Sequence, residues 1–277
     1  MGSRAIWRGG ARGLVLAAAA ACGGEARSAR PAEDLGTLVI PPLDADAGAP
    51  EDAALPAPLT VRTALTMRAR DPRLVDRPPR SRALLLTEVQ GLERALATAA
   101  ASSADRPALR RRLAEAYDEL AYTASGADAA RARDKAIAEY VALVAEHPSS
   151  PDLDEVLYRL GLAHELSGDA ARARRAYLEL ITNHPRSKLV PLAYFAFGEL
   201  FFAEGPDDPS KNALALQAYD QVLKLASADA PILAEALLRT GETKLRMGES
   251  ADAERAFARL RATFPESDAA AAIPRQR

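Results

Sequence analysis

The side chains of this chain that could do chemistry are few and far apart. There is one cysteine, Cys22, and there are three histidines, His147, His164 and His184. A thiolate nucleophile needs a base beside it, and a zinc site needs three or four ligands at short spacing. The histidine nearest to Cys22 in sequence is His147, and no two histidines stand at metal-ligand spacing. No glycine-rich phosphate loop and no Gly-x-Ser-x-Gly elbow occurs. Asp207-Asp208, with Pro206 and Pro209 on either side, reads as a loop. Arg110-Arg111-Arg112 reads as a charge run on a helix, a solvated face or a phospholipid contact. With 36 basic against 38 acidic residues there is no basic excess to neutralise phosphates, so nucleic acid is not the expected partner. The expectation is a non-catalytic protein with no metal, no cofactor and no small-molecule substrate. An active site would require scattered carboxylates to be gathered by the fold.

The elements that position side chains here are helices. Of 277 residues, 63 are alanine and only 14 are Phe, Tyr or Trp. Alanine is the best helix former and a poor strand former, and a core built on it requires close helix contacts. The composition excludes a β-sandwich, a β-barrel and a disulfide-stapled domain. The predicted fold class is all-α. Leu84, Leu85, Leu86, Val89, Leu92 and Leu96 recur near a 3.6-residue period, which predicts a capping helix over residues 81–105. Pro107 is placed for the first turn of the next helix. The pattern stays helical to about Phe264, leaving a short disordered tail over 269–277.

Within that region the sequence repeats. Residues 136–148 read AIAEYVALVAEHP, 173–185 read ARRAYLELITNHP and 253–265 read AERAFARLRATFP. Alanine stands twelve before each proline (Ala136, Ala173, Ala253). An aromatic stands eight before (Tyr140, Tyr177, Phe257) and leucine five before (Leu143, Leu180, Leu260). A fourth copy lacks the proline and keeps Ala215, Ala218, Tyr219, Val222 and Leu223. Upstream, Gly161, Gly198 and Gly241 each interrupt a helical pattern.

This pattern resembles the tetratricopeptide repeat, a 34-residue helix–turn–helix unit. With residue 154 as position 1, Leu157, Leu160, Gly161, His164, Ala173, Tyr177, Leu180 and Pro185 fall on template positions 4, 7, 8, 11, 20, 24, 27 and 32. The unit from Ala234 carries Leu237, Gly241, Ala253, Phe257, Leu260 and Pro265, and departs at Thr240 and Lys244. The unit from Pro191 keeps Tyr194, Phe197, Gly198 and Phe201, then inserts residues 205–209. The first unit has Leu113, Ala116, Tyr117 and Leu120 without the glycine. The resemblance implies an α-solenoid with units at about 107–148, 151–185, 187–228 and 230–265, inside a repeat domain of 106–268. It is similar to the repeat lipoproteins of bacterial envelopes, including those of the outer-membrane β-barrel assembly machine and the Tol–Pal system. The stretch 187–202, SKLVPLAYFAFGELFF, also resembles repeat proteins of gliding bacteria.

The chain opens with Arg4, Arg8 and Arg12 and no acid through residue 21, then Leu14 to Ala21 as a short apolar run. This describes a secretory signal over 1–21 and is too short for a membrane span. Ala19-Ala20-Ala21-Cys22 resembles a bacterial lipobox, with Ala19 where leucine is usual. The resemblance implies lipidation of Cys22 and, with Gly23 next, sorting to the periplasmic face of the outer membrane. Residues 25–80 hold nine of the 19 prolines. The stretch 22–80 is therefore expected to be a lipid-anchored, disordered spacer.

The resemblance also implies a concave groove lined by the first helix of each unit, which takes partner segments. Positions 2, 5, 9 and 12 should point into it. Its expected lining is Tyr158, Leu162, Glu165, Phe195, Glu199, Phe202, Leu238 and Glu242, apolar anchors with an acidic margin. A groove that grips a terminal carboxylate would need cations, so a basic or amphipathic protein segment is the expected partner. Charge reversal at Glu199 and Glu242 is expected to weaken it. The opposing expectation is that Phe195 and Phe202 pack against a neighbouring helix. The expected function is a scaffold or adaptor in an envelope complex. Two alternatives remain: a motility or trans-envelope machine component, or a soluble periplasmic chaperone or regulator of a cell-wall enzyme.

Overall fold

The computed structural model describes residues 80–100 and 102–274. The leader, Cys22 and the spacer up to residue 79 lie outside the described residues. Among the described residues ten helices follow one another: α1 (Arg82–Thr98), α2 (Arg106–Thr123), α3 (Gly126–Glu146), α4 (Leu153–Leu166), α5 (Ala170–Asn183), α6 (Val190–Glu204), α7 (Ser210–Lys224), α8 (Ala230–Arg246), α9 (Ser250–Thr263) and α10 (Asp268–Ala271). Among the described residues there is no strand. The closest packing is within the pairs α2/α3, α4/α5, α6/α7 and α8/α9. Each pair then packs on the next through α3 on α4, α5 on α6 and α7 on α8. This is an all-α solenoid of four helix hairpins. Helix α1 lies on α2 at one end and α10 on α8 and α9 at the other.

Local chemistry sets the helix ends. His147, His184 and Phe264 are C-caps with nearly the same backbone, φ/ψ of −132/57, −129/53 and −131/56. Each donates its N–H to the leucine four residues back, Leu143, Leu180 and Leu260, at 2.9, 2.9 and 2.8 Å. The proline that follows cannot continue the helix. Two of the three histidines are thus cap residues. At the starts, Asp169 and Asp229 accept from the backbone N–H of Arg172 and Ile232 at 3.0 and 3.1 Å. Pro107, Pro191 and Pro231 sit in first turns, where no intrahelical donor is lost.

The repeat aromatics make the core. Tyr140, Tyr177 and Tyr219 are fully buried and Phe257 nearly so. Three of them lie flat against a glycine of the preceding helix. A Cβ built at Gly161, Gly198 or Gly241 would stand under 3.0 Å from the ring of Tyr177, Tyr219 or Phe257. Only a residue without a side chain allows that approach. In the first unit Ala114, fully buried, takes the corresponding place. This unit has longer helices, 18 and 21 residues against 14 and 14 in the second.

Helix α1 ends at Thr98, inside the capping segment expected over 81–105, and one boundary differs from expectation. Residues 268–273 form an ordered cap rather than the start of a tail. Ser267 accepts from Ala270 N–H at 3.1 Å, and Ala269 and Ile273 are buried with Phe264. The last hairpin would otherwise expose its apolar edge, and this short turn covers it.

Candidate partner-binding groove

The first helices of the units, α2, α4, α6 and α8, supply one face of the array. Successive first helices touch through side chains. Arg111 on α2 pairs with Glu155 on α4 at 2.6 Å. Arg239 on α8 pairs with Glu199 on α6 at 2.9 Å. With Ala114 aligned to Gly161, positions 9 and 12 of the four units read Glu115 and Asp118, Leu162 and Glu165, Glu199 and Phe202, Glu242 and Leu245. All eight are half-buried, as a groove lining should be.

The expected lining divides in two. Leu162, Glu165, Glu199, Phe202 and Glu242 are half-buried on this face. Tyr158, Phe195 and Leu238 belong to the core, at 6%, 0% and 4% exposure, which corrects the expectation of an exposed aromatic stripe. All three occupy position 5. There the side chain turns onto the position-24 ring of its own unit. Tyr158 lies 5.8 Å from Tyr177 and Phe195 5.5 Å from Tyr219, centroid to centroid. Leu238 packs in the cluster that holds Phe257. The partner that buries these residues is intramolecular.

The acidic margin also has internal partners. Arg239 joins Glu199 to Glu242, donating from Nη1 to Glu242 at 2.6 Å. Its guanidinium lies 5.2 Å from the Phe202 ring, and that of Arg246 stacks on the same ring at 3.7 Å. Arg246 also donates to the Phe202 carbonyl at 2.6 Å. Phe202 is therefore held between two cations at the joint of the third and fourth units. Reversing Glu199 or Glu242 would disrupt this joint as well as any partner contact, so that substitution does not isolate binding.

A second pattern recurs within each of the first three units, beside the joint to the next. Tyr140 Oη donates to Asp118 at 3.1 Å, Tyr177 Oη to Glu165 at 3.1 Å and Tyr219 Oη to Glu199 at 2.7 Å. Burial first, then the adjacent carboxylate, pushes the Tyr140 and Tyr219 hydroxyls well above the ordinary phenol range. Position 6 of the next unit supplies a neutralising arginine in two of these cases. Arg239 bonds Glu199 directly. Arg159 is placed among Tyr140, Glu115, Glu155 and Asp118. Burial works against its charge, but these neighbours outweigh it, and its pKa is raised. In the first unit position 6 is Arg112, which pairs with Glu88 of α1 at 2.9 Å. Sequence reasoning stopped at positions 2, 5, 9 and 12. Reading position 6 in register, where arginine occurs in three of four units, would have found these residues.

Nothing gathers the groups that chemistry would need. His164 is buried at position 11, and burial lowers its pKa. Among the described residues no group of three His, Cys, Asp or Glu is placed to hold a metal ion. Among them, too, no helix is long and apolar enough to cross a membrane.

Comparison with known proteins follows this geometry. A family model described as "Tetratricopeptide repeat" matches residues 155–187 and 235–267, the second and fourth hairpins. No curated protein matches the chain. A matching solved structure is the C-terminal part of a TPR repeat-containing protein from Cytophaga hutchinsonii. It is 15% identical and covers 71% of this chain and 100% of its own, with a TM-score of 0.36.

Proposed function

We propose that this chain, two stretches of which match the tetratricopeptide-repeat model, is a non-catalytic protein-interaction module that binds an extended, basic segment along its first-helix face. The fold is generically a scaffold rather than a catalyst. One observation carries the partner's chemistry. Positions 9 and 12 of the four units hold five carboxylates, Glu115, Asp118, Glu165, Glu199 and Glu242, and no basic residue, although within the chain Arg111, Arg239 and the Tyr140 and Tyr177 hydroxyls already meet part of that charge. Leu162, Phe202 and Leu245 interrupt them as half-exposed apolar contacts. A partner that alternates cations with apolar side chains complements such a face.

The setting we propose is the bacterial envelope. Its support is the leader over 1–21, Cys22 in a lipobox-like context and a proline-rich spacer before α1. Lipidated at Cys22, the module would be tethered to the periplasmic face of the outer membrane within an envelope complex. The departure at Ala19 favours a second reading, a soluble periplasmic chaperone or enzyme regulator. Fractionating the full chain beside Cys22→Ala separates the two. Loss of membrane association in the variant supports the tether, and a wild type already soluble supports the second reading.

The groove is tested by placing a photoreactive amino acid in the full chain, expressed in its host. Positions Leu162, Phe202 and Leu245 probe the groove, and exposed Val141, Arg175 and Arg259 on second helices are controls. Partner adducts from the groove positions alone are expected. Adducts confined to the second-helix positions would overturn the reading.

A further inference from the structure

The turns that join one unit to the next are built alike, and one of them is left open. Residues 147–152 read HPSSPD between the first and second units, and 184–189 read HPRSKL between the second and third. Both begin at a histidine cap, so Ser150 corresponds to Ser187 and Asp152 to Leu189. Asp152 and Leu189 stand just before α4 and α6 with similar backbone, φ/ψ of −102/19 and −89/−8. In the later turn Ser187 Oγ donates to Asp154 at 2.6 Å, and Leu189 packs against the main core cluster. In the earlier turn neither device is available. The residue that corresponds to Asp154 is Pro107, which offers no side-chain acceptor. Asp152 stands where Leu189 does, and its carboxylate pairs with Arg111 instead.

A cleft of about 530 Å³ lies at this open joint. Its lining includes the buried Leu143, Leu153 and Val156 and the more exposed Pro107, Ala108 and Pro148. Pockets that hold ligands run from about 300 to 1,000 Å³. The carboxylates in its wall already have cations, Asp152 through Arg111 and Glu146 through Arg110 at 3.1 Å. What would complete the joint is apolar contact rather than charge. Ala108, Arg111 and Asp152 also border a neighbouring cleft of about 370 Å³ that holds Glu115, a position-9 residue of the groove. The open joint therefore adjoins the groove at its first unit.

We propose that this cleft is an anchor pocket for one leucine-like side chain of the partner. This rests on the groove reading and deepens it by naming a side chain that the partner must carry. The chain itself shows the chemistry that completes such a joint. Leu189 supplies an aliphatic side chain at the start of the third unit's first helix, and at the second unit the partner supplies the equivalent. Prolines in the wall are rigid, so little conformational freedom is lost when the anchor enters.

Fluorescence anisotropy on the full chain, with two labelled peptides, tests this. Both peptides alternate lysine and serine; one has leucine at its centre and the other alanine. The leucine peptide should bind about tenfold more tightly, the share of leucine burial that an open cleft allows. In Asp152→Leu the chain fills its own cleft as Leu189 does, and the preference should fall to about twofold or less. Asp152→Asn removes the charge facing Arg111 and leaves the cleft open, so there the tenfold preference should persist. Methyl-resolved nuclear magnetic resonance of the wild type should show the leucine peptide shifting Leu143 and Leu153 more than Leu180 and Val190, which hold the same places at the next joint. Those shifts decide the matter even if Asp152→Leu does not fold. Equal binding of the two peptides, a preference that survives in Asp152→Leu, or shifts centred on the second joint would overturn the proposal. The two readings fail separately. Equal binding of both peptides sinks the anchor pocket and leaves the groove standing, whereas binding of neither overturns both.

Discussion

Gly161→Ala and Gly91→Ala are the same chemical change at two helix-interior sites, and the structure gives them opposite signs. At Gly91, in exposed α1, an added Cβ meets nothing within 4 Å. Alanine there gains the helix propensity difference, about 1 kcal/mol. At Gly161 the same atom would stand under 3.0 Å from three atoms of the Tyr177 ring. That ring is fully buried, and its hydroxyl is held by Glu165 at 3.1 Å, so it has no room to turn away. Overpacking of this kind costs about 1–3 kcal/mol. The propensity gain offsets part of it, and Gly161→Ala should lose about 1–2 kcal/mol net. For a domain of this size about 1 kcal/mol moves the midpoint by 2–4 °C. Gly91→Ala should thus melt about 2–4 °C above the wild type, and Gly161→Ala about 2–8 °C below it. Thermal unfolding followed by far-ultraviolet circular dichroism, repeated in urea, reads both. Shortening the ring's side of the contact, as Gly161→Ala/Tyr177→Leu, should cost less than the two single changes added together. A Gly161→Ala chain as stable as Gly91→Ala would refute the claim that ring contact, rather than helix propensity, selects glycine at position 8.

Three further outcomes are expected. Arg239→Met should destabilise by about 1–2 kcal/mol, since it removes the cation shared by Glu199 and Glu242 and leaves Glu199 only the Tyr219 hydroxyl; a double-mutant cycle with Glu199→Gln should show coupling of about 1 kcal/mol, and additive effects would dissolve the proposed joint. His164 has a folded pKa lowered by burial, so its contribution is complete above the unfolded value near 6.5 and is lost as pH falls through the folded one. Denaturation midpoints should therefore fall more steeply below about pH 6.5 in the wild type than in His164→Leu, and parallel curves would contradict the burial argument. Tyr194 is pushed up to about 12 by burial, and Tyr140 and Tyr219 are raised by burial and carboxylates. Their stabilisation is present below about pH 10 and is lost as pH rises through the folded values. Absorbance titration should leave at least three of the seven tyrosines un-ionised through pH 11, with Tyr117 also delayed by burial and Glu93, and release them with unfolding, whereas seven normal titrations would show the rings are accessible.

Much of the fold was legible because the repeat writes its local rules into sequence. A C-cap needs a residue able to take φ near −130° before a proline, and His147, His184 and Phe264 stand in that slot. A ring pressed this closely on a helix needs glycine opposite, so Gly161, Gly198 and Gly241 announced the crossings. Groove residues were harder to read. Position 5 carries Tyr158, Phe195 and Leu238, side chains equally suited to a partner and to a neighbouring ring. Local pattern records which face a residue occupies, but not how far the ring beneath extends.

Sequence alone determined that the chain is helical, that its helices come in hairpins and where each hairpin turns. These follow from propensity, period and capping, which act over a few residues. Only the tertiary structure decided that the position-5 side chains close over their own unit's core. It also decided that Arg239 and Arg159 spend their charge on the preceding unit. Those outcomes depend on residues about 20 to 45 positions apart meeting across packed helices. Burial and charge at such a site are properties of the neighbours that arrive there, and a one-dimensional pattern does not contain them.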